Sequence, residues 1–401
     1  MTHQTFPTPS IAPLQRLHVY DSLMMNADRW HLAQTYQRRR QNVHYQSLNQ
    51  PGVVCGLGIC LIEPPESADV RFRDRRWIEI QPGIAIDLEG NVIVVDATVD
   101  RRFRIAVKSP PSGSLTVYVV VSYREPEALD SHHRPETLTE QFRFDQKTDP
   151  PAPHEVELCR IQLKPGMVEL ANPTDVLLPQ ANQLDLRYRA QAQSRPQAIV
   201  SMAQVKPHYL GQENDRTPEN LSFLMQSVAS LYPALQGISE IQQVALTSSD
   251  ALTTDVLYLT DSQAIGLDDH ELETLKQYLE TGGVLLIEAA TESQIAIDDV
   301  INILSDSLET SLQPQSANRD CPLRISPFLF AALPSTEAPI QLWQGGGIVL
   351  VQGNLSASWG LNDSLDRSRD DLRSAHEFGV NILYFAWNRR RLTQLLNIAE
   401  H

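Results

Sequence analysis

The stretch DVLYLTDSQAIGLDDHELETLKQYLETGGVLLIE, residues 255–288, decides how the second half of the chain folds. Asp255-Val-Leu-Tyr-Leu259 is a short apolar run of the kind buried on both faces of a sheet, and Val284-Leu-Leu-Ile287 repeats it. Between the two, Asp268 or Asp269 precedes Leu272, Leu275 and Leu279, which recur at helical spacing, and Gly282-Gly283 ends that helix. Strand, helix and strand in this order predict a crossover unit of a mainly parallel sheet.

The text on either side continues the pattern. Ala198 to Val205 reads as a strand. Thr217-Pro218-Glu219 starts a helix carrying Leu221, Leu224, Met225 and Val228, with Thr217 as N-cap and Pro218 in the first helical position. Gln243 to Leu246 is a further short strand and Ile295 to Leu308 a further helix. Gly345-Gly-Gly347 turns into the strand Ile348-Val-Leu-Val351, and a closing helix holds Phe378, Ile382, Leu383 and Phe385. Residues 197–401 therefore predict a doubly wound α/β domain, covered on both faces of its sheet.

Upstream, the polar, Gln-rich stretch 181–196 reads as a linker with one helical turn at Leu184 to Tyr188. Residues 51–180 predict a mostly-β domain. Its strands are the Gly-punctuated run Gly52 to Ile62, Trp77 to Ile80, the hairpin Ile84–Ile86 and Val92–Val95 around Glu89-Gly90-Asn91, Leu115 to Val121, and Val156 to Leu163. Glu125 to Pro153, polar and Pro-rich with His132-His133, reads as a long loop. Residues 1–50 read as a helical arm. Asn26 is its N-cap, Asp28 adds charge to the first turn, and Trp30, Leu32, Ala33, Tyr36 and Val43 give it a side that can pack. Arg38, Arg39 and Arg40 point around that helix and cannot all be buried. They form a solvated face or meet an acidic partner. The fold class is thus α/β plus mostly-β: arm, small β domain, then the α/β domain.

Composition narrows the function. The chain of 401 residues has a formal charge of −16, which disfavours nucleic acid as the default partner. No apolar run approaches the ~20 residues of a membrane span. No basic flank followed by an apolar stretch marks a secretory signal, and four cysteines without repeated spacing fit a reducing compartment. A cytoplasmic protein is expected. Of 33 basic residues, 28 are arginine. A composition bias accounts for that, and so does a demand for fixed interface contacts.

Two resemblances add to this reading. Leu17-His-Val-Tyr-Asp21, Tyr36-Gln-Arg-Arg-Arg40, Gly52-Val-Val-Cys-Gly-Leu57, Gln81-Pro-Gly-Ile-Ala-Ile-Asp87 and Gly90-Asn-Val-Ile-Val94 together resemble N-terminal modules encoded with phage-tail-like contractile injection systems. This resemblance spans residues 14 to 165 and implies a role in particle assembly or the baseplate region. Asp255 to Asp261, Leu272 to Leu279, Gly282 to Glu288 and Glu377-Phe-Gly-Val-Asn-Ile-Leu-Tyr384 are similar to the DUF4159 domain. That likeness, over residues 197 to 390, implies the class I glutamine-amidotransferase-like fold, related in architecture to flavodoxin.

Catalytic members of amidotransferase-type folds place a Cys on the sharp turn after a strand, with His and a carboxylate nearby. Here Val284 to Ile287 runs into Glu288-Ala-Ala-Thr-Glu292, with no Cys or Ser at the turn. Cys321 precedes Pro322, which argues against a nucleophile elbow. Phosphate-binding, G-x-S-x-G and H-E-x-x-H motifs are lacking. Gly345-Gly-Gly347 precedes a strand and reads as a hairpin turn. Cys55 and Cys60 read as small buried residues on opposite faces of one strand. His132-His133 is a solvated loop. No catalytic residue, metal site or cofactor is expected. The candidate ligand cleft is the C-terminal edge of the parallel strands, with Thr260, Asp261, Glu288 and Glu292 as ligand contacts or helix caps.

The leading expectation is a non-catalytic structural or interaction subunit of a contractile-injection-type particle, docking through Trp30, Tyr36, Arg38, Arg39 and Arg40. The expected partners are other subunits of the baseplate or sheath region, with indirect or peripheral membrane attachment and no nucleic acid. The particle would be free in the cytoplasm or at the cytoplasmic face of a membrane, a thylakoid where the source has one. The alternatives are an amidase- or amidotransferase-like hydrolase and a small-ligand sensor.

Overall fold

The computed structural model describes residues 13–125, 139–166, 169–206, 216–290, 297–315, 318, 320–335, 338–361 and 367–397. It is a mixed α/β structure that divides into two compact units at Arg195 and Pro196.

The first unit opens with α1 (Ala27–Leu48), capped by Asn26, whose Oδ1 accepts the Arg29 N–H at 3.0 Å. Among the described residues eleven strands follow: β1 (Asn49–Gln50), β2 (Gly52–Gly56), β3 (Ile59–Leu61), β4 (Trp77–Ile80), β5 (Gly83–Ile86), β6 (Val92–Val95), β7 (Arg102–Arg104), β8 (Leu115–Arg124), β9 (Gln141–Lys147), β10 (Glu155–Leu163) and β11 (Gln193–Ser194). They form three antiparallel three-stranded sheets, β2-β5-β6, β3-β4-β7 and β10-β8-β9, and the short pair β1-β11. Alternate residues of all three larger sheets meet in one core, including Val53, Ile78, Ile80, Ile93, Val117, Val119, Leu158 and Ile161.

Several expectations change here. The run Gly52 to Ile62 is two strands, since Gly56 and Leu57 both take positive φ and turn the chain. Cys55 and Cys60 consequently lie on different strands, and both thiols are exposed, not buried. Part of the expected loop 125–153 is strand β9, where Phe142 and Phe144 alternate on the face toward the core. His132-His133 lies outside the described residues. The stretch read as a linker runs back along the β unit. Leu184 joins its core, Asp185 exchanges backbone hydrogen bonds with Arg160, and Gln193–Ser194 pairs with β1, so no helical turn forms there.

The second unit contains β12 (Ala198–Val200), β13 (Met202–Val205), α2 (Thr217–Leu231), β14 (Leu235–Gly237), β15 (Gln242–Val244), α3 (Ser249–Thr253), β16 (Val256–Thr260), α4 (Asp261–Ile265), α5 (Asp269–Glu280), β17 (Val284–Ala289), α6 (Ile297–Ser307), β18 (Gln313–Pro314), α7 (Pro322–Ile325), β19 (Gln341–Gly345), β20 (Ile348–Gln352) and α8 (Arg369–Asn397). Its seven-stranded sheet has the order β15-β13-β16-β17-β20-β19-β18. The first five strands are parallel, and β19 and β18 add an antiparallel edge. The residues from Ala198 to Val205 are two strands, because Ser201 breaks the run and bonds the Asp255 carboxylate through N–H and Oγ. β12 pairs with β14 instead of joining the main sheet.

The period of two sorts the central strands into two cores. Val256, Tyr258, Val284, Leu286, Val349 and Val351 face a cluster completed by α2, α7 and α8. Leu257, Leu259, Leu285, Ile287, Ile348 and Leu350 face one completed by α4, α5 and α6. Burial on both faces is why these strands read as unbroken apolar runs. The Gly345-Gly-Gly347 segment is the β19–β20 hairpin turn, with Gly346 and Gly347 at φ of 54° and 94°.

Candidate functional site

Parallel strands deliver their last residues to one edge of the sheet, and three of the four cleft residues expected from sequence are there. Thr260 and Glu288 are register partners at the ends of β16 and β17, and Asp261 begins α4. Glu292 lies outside the described residues. Thr260 serves the local turn: its N–H and Oγ donate to Gln263 Oε1 at 2.8 and 3.2 Å. Asp261 Oδ1 accepts the Ser262 N–H at 2.7 Å. Both act at the helix start.

Glu288 behaves differently. It shares the sheet face of Val284 and Leu286 and is 8% exposed. Its Oε2 accepts the Tyr258 hydroxyl at 2.7 Å, and its Oε1 accepts the Ser356 N–H at 3.0 Å. Tyr258 comes from β16, and Ser356 from the 3-10 turn after β20. One carboxyl therefore ties three neighbouring strands at their C-terminal ends. Neither partner was anticipated from sequence. A Tyr inside the apolar run of β16 was the available signal, because a buried phenol needs a polar partner.

Burial pushes the Glu288 carboxyl above the ordinary 4.5, and the bonds from Tyr258 and Ser356 oppose that rise without cancelling it. A carboxyl that holds its proton more tightly when folded contributes its full stability below the unfolded value. That contribution is lost as pH rises through the folded value. Thermal unfolding of Glu288→Gln is accordingly expected to depend less on pH than wild type above the ordinary carboxyl range. Parallel profiles for the two proteins would contradict this.

Cys321 caps the four-residue α7, is 1% exposed, and has its thiol pKa raised by burial, which disfavours the thiolate. Among the described residues, no group of three or more His, Cys, Asp or Glu side chains could hold a metal ion. A cavity of about 370 Å³ sits at the opposite, N-terminal edge of the strands, near Lys276, Glu309, Gly346 and Arg389. Its cations are engaged: Lys276 pairs with Glu309 at 3.0 Å, and Arg389 donates to the carbonyls of Leu279, Gly283 and Gly346.

The arm residues form the second candidate site. α1 meets the β unit through a polar side, not through Trp30 and Leu32. Arg38 pairs with Glu125, Asn42 Nδ2 donates to Asn91 Oδ1 at 2.8 Å, and Gln46 Nε2 reaches the Leu88 carbonyl at 3.4 Å. Asn91 is fixed by the buried Asp87, whose carboxylate accepts from both its N–H and its side-chain amide at 2.8 Å. Gly90 lets the helix approach. It adopts φ 82°, and a Cβ there would stand 2.3 Å from the Asn42 carbonyl oxygen. Gly90→Val is expected to cost about 1–3 kcal/mol through backbone strain and to expose α1 to protease. Unchanged proteolysis of that helix would count against this anchoring.

Trp30 is 59% exposed, Leu32 38%, and no residue of α1 is fully buried. Arg39 and Arg40 are exposed and Tyr36 is half-buried. The five arm residues thus share one helix, with Arg38 turned toward the β unit, Tyr36 half-buried, and Trp30, Arg39 and Arg40 exposed.

The second unit is defined by a mainly parallel sheet, helices on both faces and a buried, hydrogen-bonded Glu288 at the strand ends. The family model described as Domain of unknown function (DUF4159) matches residues 201–387, so this stretch is a DUF4159 domain. A search of the curated proteins finds no match for the chain. Among the described residues, no helix is long and apolar enough to cross a membrane.

Proposed function

We propose that the chain is a non-catalytic structural or interaction subunit of a contractile-injection-type particle, near its baseplate, with α1 as the docking element and the amidotransferase-like α/β unit as a recognition or anchoring module. The observation that supports the non-catalytic part is the state of Glu288. The carboxyl at the end of β17 is buried and fully engaged by Tyr258 and Ser356, so it is neither exposed to a substrate nor placed to activate a nucleophile. The docking part is supported by α1, a 22-residue helix with no fully buried residue that carries an exposed Trp and an Arg cluster, types enriched where interfaces concentrate their binding energy. The resemblance of residues 14 to 165 to particle-associated modules supplies the class of assembly. Membrane attachment of the particle would run through a partner or a peripheral contact.

The triple variant Trp30→Ala, Arg39→Glu, Arg40→Glu alters exposed positions of the helix and leaves Asn42 and Gln46 in place. It is expected to fold normally and to be lost from particles isolated from cells expressing it. Wild-type levels in the particle fraction would refute docking by this helix.

A further inference from the structure

Charge is divided unevenly along the chain. Residues 1–195 hold 22 Lys and Arg against 23 Asp and Glu, whereas residues 196–401 hold 11 against 26. Nearly all the net negative charge belongs to the α/β unit. α1 has the opposite character: four arginines, with Asp28 its one acidic residue. Opposite Asn42 and Gln46, which face the β unit, helical spacing places Trp30, Arg40 and His44, while Arg39 is exposed at the margin of the β-facing side. This outer side combines an exposed aromatic with the Arg40 cation, and Arg39 adds a second exposed cation beside it.

The α/β unit carries exposed carboxylates at the starts of two helices that cover the same face of its sheet. In a parallel sheet, the helices after each strand start at the strand C-terminal edge, where acidic residues favour the helix dipole. Asp268 and Asp269 at α5 and Asp298 and Asp299 at α6 are exposed there. Such a surface repels nucleic acid and anionic lipid and attracts a basic helix.

We infer that the outer side of α1 docks on the acidic α/β unit of a second copy of this chain, so that each copy offers one arm and one acceptor. An interface between two different surfaces of identical chains generates rings or filaments. The inference rests on the reading of α1 as a docking element and names what it docks on.

Sedimentation velocity of the purified full-length chain, over a range of concentration and salt, tests it. Wild type is expected to show species above the monomer mass that grow with concentration and dissociate as salt rises. Arg39→Glu/Arg40→Glu and Asp298→Arg/Asp299→Arg are each expected to weaken association by about tenfold or more. An equimolar mixture of the two variants should recover association that neither shows alone, because one still has its acceptor and the other its arm. If the arginines at 298 and 299 impair folding, Asp298→Asn/Asp299→Asn replaces that variant and should show the same weakening in smaller degree.

A wild-type chain that stays monomeric at low salt and high concentration would overturn the inference. So would association indifferent to both charge changes, or an arm that binds anionic vesicles or duplex DNA without self-association. Particle incorporation in cells with no self-association in solution would defeat this inference alone. Salt-sensitive self-association with no particle in cells would defeat the proposed function alone.

Discussion

Glu288→Ala is expected to destabilise the α/β unit by roughly 3 kcal/mol, since it removes the principal acceptor of two buried donors, at about 1–3 kcal/mol each. Those donors are the Tyr258 hydroxyl and the Ser356 N–H. The hydroxyl's fallback partner, Ser356 Oγ at 3.5 Å, is a poor substitute. Glu288→Gln keeps the volume and the bonding pattern of the protonated acid, so its loss should be much smaller. Chemical denaturation of the two variants measures the difference. A reacting carboxyl would behave differently, because active sites commonly give up stability for function. If Glu288→Ala matched or exceeded wild-type stability, the structural reading of this edge would fail.

The second large effect belongs to Trp359. It is 1% exposed in the core beneath α8, and its Nε1 donates to the Ala375 carbonyl at 2.9 Å. Gly379 makes room for it, because a Cβ there would lie 2.5 Å from Leu224 Cδ1 and 3.1 Å from the indole nitrogen. Trp359→Ala is expected to cost about 3–5 kcal/mol, the range for emptying a large buried aromatic site. Trp359 immediately follows the 3-10 turn that presents Ser356 to Glu288. Its loss should therefore be non-additive with Glu288→Ala in a double-mutant cycle. Strict additivity would separate the ring from the lock.

The parallel core was legible in sequence because burial on both faces leaves apolar runs that need no knowledge of the partner strand. Val256 to Leu259 and Val284 to Ile287 are such runs, and Asp268 begins α5 with a capping box completed by Glu271. The β unit was less legible. β9 is flanked by polar, Pro-rich text, and only Phe142 and Phe144 signal it. Leu57 at φ 54° could not be expected to turn a strand, since a branched side chain rarely adopts that region.

At the sites, sequence supplied residue types and the edge they occupy, but not their partners. Glu288 reads the same whether it faces a substrate or a phenol. The difference lies in Tyr258 and in a turn 68 residues downstream. The contacting side of α1 was legible only in part. Of the apolar positions Trp30, Leu32, Ala33, Tyr36 and Val43, the last three are half-buried and the first two exposed, while the hydrogen bonds to the β unit run through a polar network of Asn42, Asn91 and Asp87 made possible by the missing side chain at Gly90.

The most direct test of the account is sedimentation of a gentle lysate of cells producing the tagged chain, with negative-stain imaging of the pellet. The expected result is a chain that pellets with tubular, tail-like particles and labels one end of them. A chain that stays in the supernatant as a monomer or small oligomer, with no such particle in the pellet, would contradict the proposed role.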